Sequence, residues 1–122
     1  MKLTSWLQKL MSVGEPTDKQ VGSQRKVTGR VFGKKYRELA DGHRTTFVVG
    51  CCDMFEQMVF YALPANKPRM DKMAKYASRF ESSSLRIQFD QYMAADPLTD
   101  NRFAAGCFLT FLNEKAMLTF EP

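Results

Sequence analysis

No apolar stretch of this sequence approaches the roughly 20 residues a membrane-spanning helix requires, and Lys9 breaks the N-terminal apolar stretch before it can form a signal-peptide core. Neither membrane attachment nor export is expected, and the cytoplasm is the expected compartment. Cysteine is scarce: Cys51, Cys52 and Cys107 are an odd number without a C-x-x-C spacing, and the single histidine, His43, stands far from all three. These residues suggest neither a disulfide framework nor a zinc site. The Cys51-Cys52 pair reads as small, partly buried apolar residues of a reduced compartment, and only weakly as redox chemistry. The seven glycines make no phosphate-binding loop. His43, beside Asp41, has no serine or cysteine at a defined spacing, and Asp53, Glu56, Asp71, Asp90, Asp96 and Asp100 read as turn or wet-face residues, not as an acid–base pair. The expectation is a protein that is not an enzyme and that needs no metal or cofactor.

What is present fits one soluble domain. The 122 residues are 44% hydrophobic and 25% charged, close to the globular average and enough for one modest core. The net charge of +5 is unevenly placed. Residues 1–50 carry 10 Lys and Arg against 4 Asp and Glu, while residues 51–122 carry 8 against 9. Arg25, Lys26, Arg30, Lys34, Lys35, Arg37 and Arg44 fall within one 20-residue window, which points to a polyanionic partner.

Along the chain, MKLTSWLQKLMSV spaces Leu3, Trp6, Leu7, Leu10 and Met11 as one stripe of an amphipathic helix, with Thr4 or Ser5 placed to cap it. Residues 14–25 read as a linker, so the expected division is 1–25 for helix and linker and 26–122 for the domain. RKVTGRVFGKKYREL reads as a first strand, broken or bent near Gly33, followed by an Asp41-Gly42 turn. RTTFVVGCCD and MVFYALP read as the second and third strands, the latter ended by Pro64. Met70, Met73, Ala74, Ala77 and Phe80 then take helical spacing, with Lys72, Lys75 and Arg79 on the polar side, for about three to four turns. The Ser82-Ser83-Ser84 cluster ends that helix. SLRIQFDQY alternates Leu85, Ile87 and Phe89 inward, making a fourth strand, and RFAAGCFLTFL follows the AADPLTDN loop as the fifth, with AMLTF as a last short run.

Three strands, a helix and a return to strands is the order of the five-stranded Greek-key barrel called the OB-fold, β-β-β-α-β-β, here behind an N-terminal helix. VTGRVFGK, TTFVVG, MVFYALP and MDKMAKYASRFESSSLRIQFDQY resemble, in order and rough spacing, the corresponding parts of bacterial single-stranded DNA-binding proteins. The resemblance covers roughly residues 26–112 and implies an all-β barrel with one or two helices that binds single-stranded DNA. Two departures bear on it. That family usually continues into an acidic tail that recruits partners, whereas this sequence ends Leu118-Thr119-Phe120-Glu121-Pro122, so tail-mediated recruitment is not expected. The family also stacks bases on barrel tryptophans, whereas Trp6 lies in the N-terminal stretch.

A single strand needs cations along its phosphates and exposed rings for its bases, each stack contributing roughly 1–3 kcal/mol. If Lys26, Thr28, Arg30, Phe32 and Lys34 share a strand face, the opening strand supplies both. Lys35, Tyr36 and Arg37 join as loop or strand-end contributors, and Arg44, Tyr61, Arg86, Tyr92 and Arg102 complete the expected nucleic-acid surface. The expected partner is single-stranded DNA or RNA, bound with little sequence preference. The alternative is a protein-interaction module that docks through Trp6, Leu7 and Leu10 or a sheet edge. Homo-oligomerisation fits either, since FAAGCFLT is too apolar for an exposed edge.

Overall fold

Residues 31–121 are described by a computed structural model. Five α-helices make up this part of the chain: α1 Gly33–Glu38, α2 Asp41–Phe60, α3 Lys67–Ala77, α4 Ser82–Ala95 and α5 Ala104–Phe120, with a 3-10 turn over Pro97–Asn101 between the last two. The described residues contain no sheet. Their one extended pairing is an isolated antiparallel bridge between Phe32 and Phe103, in which the Gly33 amide donates to the Arg102 carbonyl at 2.8 Å and the Ala104 amide to the Val31 carbonyl at 2.7 Å.

α5 is the central element, burying Ala104, Cys107, Phe108, Leu109, Phe111, Leu112 and Ala116. α3 packs along it through Met70, Met73 and Tyr76, three positions spaced for one helical face. α4 adds Leu85, Phe89 and Met93 at intervals of four, and α2 adds Val48 and Phe55. Phe89 sits among rings, with centroids at 5.1 Å from Tyr36, 5.2 Å from Phe108 and 5.6 Å from Phe111, tilted or edge-on as ring quadrupoles prefer. The turns are locally encoded. Pro68 enters the first turn of α3, where its missing N–H costs nothing. Asp96 accepts the Leu98 amide at 3.1 Å, and the buried Thr99 hydroxyl lies 2.7 Å from the Asp96 carbonyl oxygen and 3.1 Å from that of Met93.

The expected barrel is therefore overturned, and with it the OB-fold class and the likeness to single-stranded DNA-binding proteins. TTFVVGCCD and MVFYALP are not two strands but parts of the single 20-residue α2 and its end, and Asp41-Gly42 is its first turn instead of a hairpin. SLRIQFDQY is helical because Leu85 and Phe89, four apart, satisfy a helical period as well as a strand's. Ile87, expected inward, is 47% exposed, while Met93, one turn further, is fully buried. Ser82–Ser84 open α4 and do not close α3. From Ala104 on, RFAAGCFLTFL is the buried half of α5, so its apolarity is the protein's own core and says nothing of an edge. The segment from Gly33 is helix α1, not a strand end. α3 does occupy the stretch whose period predicts a helix. The division at residue 25 and the N-terminal stripe with Trp6, Leu7 and Leu10 lie outside the described residues.

Candidate functional site

Most of the arginines expected on phosphates face carboxylates instead. Asp90 on α4 collects three groups: Tyr36 Oη donates to its Oδ1 at 2.7 Å, Arg86 Nη1 donates to Oδ2 at 3.0 Å, and Arg44 Nε stands 3.6 Å from Oδ2. Arg44 also pairs with Asp41, and Arg86 Nε donates to Thr45 Oγ1 at 3.3 Å. This network clamps α1, α2 and α4, and its guanidinium groups are mostly covered. Arg37 pairs with Asp100, and Arg102 lies 3.8 Å from Asp96. Tyr36 is fully buried, and burial, reinforced by its hydrogen bond to Asp90, holds its hydroxyl well above the usual tyrosine range. Tyr92 packs against Phe89 and Phe111 and donates to Glu114 at 3.3 Å; burial, then the Glu114 charge, pushes its hydroxyl up to about 12.

Three expected residues do come together. Phe32, 42% exposed, stacks on Phe103 with centroids 4.8 Å apart, and with Lys34 and Lys35 it borders an open depression of about 490 Å³ completed by Glu38, Asp100 and Asn101. Neither lysine has an ion-pair partner among the described residues. Tyr61 is exposed but belongs elsewhere, since α2 separates it from Asp41 by about 30 Å of helix axis. Lys26 and Arg30 lie outside the described residues.

A denser basic surface was missed by the strand-based reading. Residues 67–79 carry Lys67, Arg69, Lys72, Lys75 and Arg79 against Asp71 alone. Lys67 pairs with Asp71 at 3.5 Å. The other four, three or four residues apart, form a ridge along one side of α3 and the turn after it. That ridge meets the last turns of α5: Arg69 Nη1 donates to Asn113 Oδ1 at 3.0 Å, Lys72 pairs with Glu121, and Lys75 and Arg79 stand 4.9 and 5.6 Å from the Phe120 ring centre. Lys72, by hydrogen bond and by charge, holds the Glu121 carboxyl below the ordinary carboxylate range. The C-terminal end of a helix presents roughly half a negative elementary charge, which a single cation compensates. Among the described residues, the four cations along this contact meet that helix end and one carboxylate, Glu121, which leaves a surplus. The signal was open to view in the sequence as a five-to-one charge ratio, but Lys72, Lys75 and Arg79 also fit the ordinary wet side of an amphipathic helix.

Among the described residues no three His, Cys, Asp or Glu side chains gather where they could hold a metal ion, and no helix is long and apolar enough to cross a membrane. The class defined by these observations is a small helical module with an uneven basic surface. No family model, no curated protein and no solved structure matches the chain.

Proposed function

We propose that this chain is a non-catalytic helical module that binds single-stranded nucleic acid, DNA or RNA, with little sequence preference. The observation that carries the reading is the α3 ridge of Arg69, Lys72, Lys75 and Arg79, whose positive charge exceeds what its surroundings among the described residues neutralise. A row of cations about one helical turn apart suits a phosphate chain, and its affinity comes largely from released counterions. Phe32 with Lys34 and Lys35 supplies a second contact of the required kind, an exposed ring beside two cations. The basic run Arg25, Lys26 and Arg30 precedes that patch directly in sequence.

Fluorescence anisotropy with labelled oligo-dT and oligo-U, at a series of salt concentrations, tests the reading. Four phosphate contacts on a single strand predict a log–log salt slope of about −2.8. Replacing Lys75 and Arg79 with Gln lowers its magnitude by about 1.4, provided circular dichroism shows the fold intact. Absence of salt-sensitive binding, or an unchanged slope in the folded variant, sinks the proposal. Stronger binding to duplex than to single strand would remove the strand preference.

A further inference from the structure

We propose that the outward face of α2 is a self-association surface, on which a second copy of this chain packs antiparallel about a two-fold axis at Gly50. The inference goes beyond the nucleic-acid reading and stands on different residues.

α2 carries apolar residues on every side. Val48 and Phe55 are buried against the body, while Met54 is 62% exposed and Phe60 and Tyr61 are each 76% exposed. A helix that is apolar all round is normally covered all round. Gly50 lies near the middle of this helix, on its exposed side, and a Cβ added there would meet nothing within 4 Å. Mid-helix glycine costs about 1 kcal/mol relative to alanine, and no contact among the described residues requires it. Close approach of another helix backbone would.

The sequence around Gly50 decides the occupant and its direction. His43, Thr46, Gly50, Met54, Gln57 and Tyr61 are all exposed, at spacings of three or four residues, the pattern of a shallow helix–helix seam. An antiparallel copy centred on Gly50 sets position 46 against 54 and 43 against 57. Thr46 already donates its hydroxyl to the Gly42 carbonyl at 3.0 Å, so it offers a methyl to the partner's Met54, and Gln57 meets His43 as donor and acceptor. Phe60 falls opposite Ala40. A parallel copy would instead set Asp53 and Glu56 against themselves. The same patch thus complements itself, as a two-fold interface must.

The area suffices. Phe60 and Tyr61, each about three-quarters exposed, offer on the order of 150 Å² apiece, and with Met54 and Val49 on the order of 500 Å² per copy. Two copies reach the ≈1,000 Å² that a specific interface needs. Such a dimer carries two α3 ridges and would bind a long strand more tightly than a short one.

Sedimentation equilibrium of the full chain, from about 1 to 100 μM, reads the association directly. The expected result is a reversible dimer. Gly50→Ala should raise the melting temperature of the dilute chain yet weaken dimerisation about tenfold, because the added methyl lies at the closest approach. Met54→Glu with Tyr61→Glu, both at exposed sites, should give a folded monomer. Oxidation of mixed T46C and M54C chains should give a 46–54 intermolecular link by mass spectrometry. A wild-type monomer throughout, dimerisation indifferent to Gly50→Ala, or a 54–54 link in place of 46–54 each overturns the proposal.

Discussion

Tyr36 Oη donates a 2.7 Å hydrogen bond to Asp90 Oδ1, joining the short helix α1 to α4 across 54 residues of sequence. The tyrosine ring fills the core beside Phe47 and Phe89, and its hydroxyl reaches the one carboxylate that also faces Arg44 and Arg86. A helix of six residues is too short to persist alone, so α1 depends on this anchor and on the seat of Gly33. Tyr36, Arg44 and Arg86, expected on a phosphate surface, hold the bundle together instead.

Tyr36→Phe should cost about 1.5–3 kcal/mol at neutral pH, the range for a hydrogen bond to a charged acceptor. The hydroxyl is held above the tyrosine range in the folded chain, chiefly by burial and then by Asp90, and returns to about 10 on unfolding. Its stabilisation is therefore complete below about pH 10 and is lost as pH rises further. Urea melts of both proteins at rising pH should show the gap between them closing above pH 10, and a constant gap would refute the assignment.

Removing Asp90 isolates more than one group. Asp90→Ala leaves two mostly covered guanidinium groups and a buried hydroxyl without their shared acceptor, and should destabilise by about 3 kcal/mol. Asp90→Asn, which keeps an acceptor but no charge, should cost less. Chemical denaturation checks the order. Strand affinity of the folded Asn variant should match wild type, because the network lies apart from the α3 ridge.

The α3 helix was legible in the sequence because Met70, Met73 and Ala77 repeat on one face and Pro68 marks its entry. α2 was not. Its Thr45-Thr46-Phe47-Val48-Val49 run is rich in β-branched and aromatic residues, and its apolar side chains point all ways, so neither propensity nor periodicity shows a helix. Packing of Val48 and Phe55 into a helical core overrides those local preferences. The ion pairs were hidden for another reason. Arg44 and Arg86 meet at Asp90 only after α2 and α4 are side by side, which no local spacing encodes. The basic ridge, by contrast, was present as a charge ratio whose meaning depended on what stood opposite it.

The two vicinal cysteines should be slow to react. Burial pushes the Cys51 thiol up to about 12, and burial with the nearby Asp53 and Glu56 charges pushes Cys52 up to about 11. At pH 8 about one Cys52 in a thousand would be thiolate, and fewer of Cys51. An aromatic disulfide reagent at that pH should label the native protein sluggishly and all three cysteines at once on unfolding. Rapid native labelling of either vicinal thiol would restore a redox role.

Gly33→Ala and Gly42→Ala make the same chemical change and should have opposite signs. Both glycines lie in first turns of helices, so alanine gains in propensity at each. At Gly42 the new methyl meets nothing within 4 Å, and the melting temperature should rise by the equivalent of up to about 1 kcal/mol. At Gly33 it would stand 2.7 Å from the Thr99 carbonyl carbon, overlap that carbonyl's oxygen, and reach 2.9 Å from Met93 Cε. The methionine end can swing aside, but the Thr99 backbone cannot, because the turn around it is fixed by the Thr99 hydroxyl and by the Gly33 amide on Arg102. Relief requires α1 to lift, which would pull Tyr36 away from Asp90. Gly33→Ala should therefore cost about 3 kcal/mol or more, and Met93→Ala in the same chain should not rescue it. Thermal melts of the three variants decide the matter, and a Gly33→Ala protein as stable as wild type would mean that α1 does not rest on the 97–101 turn.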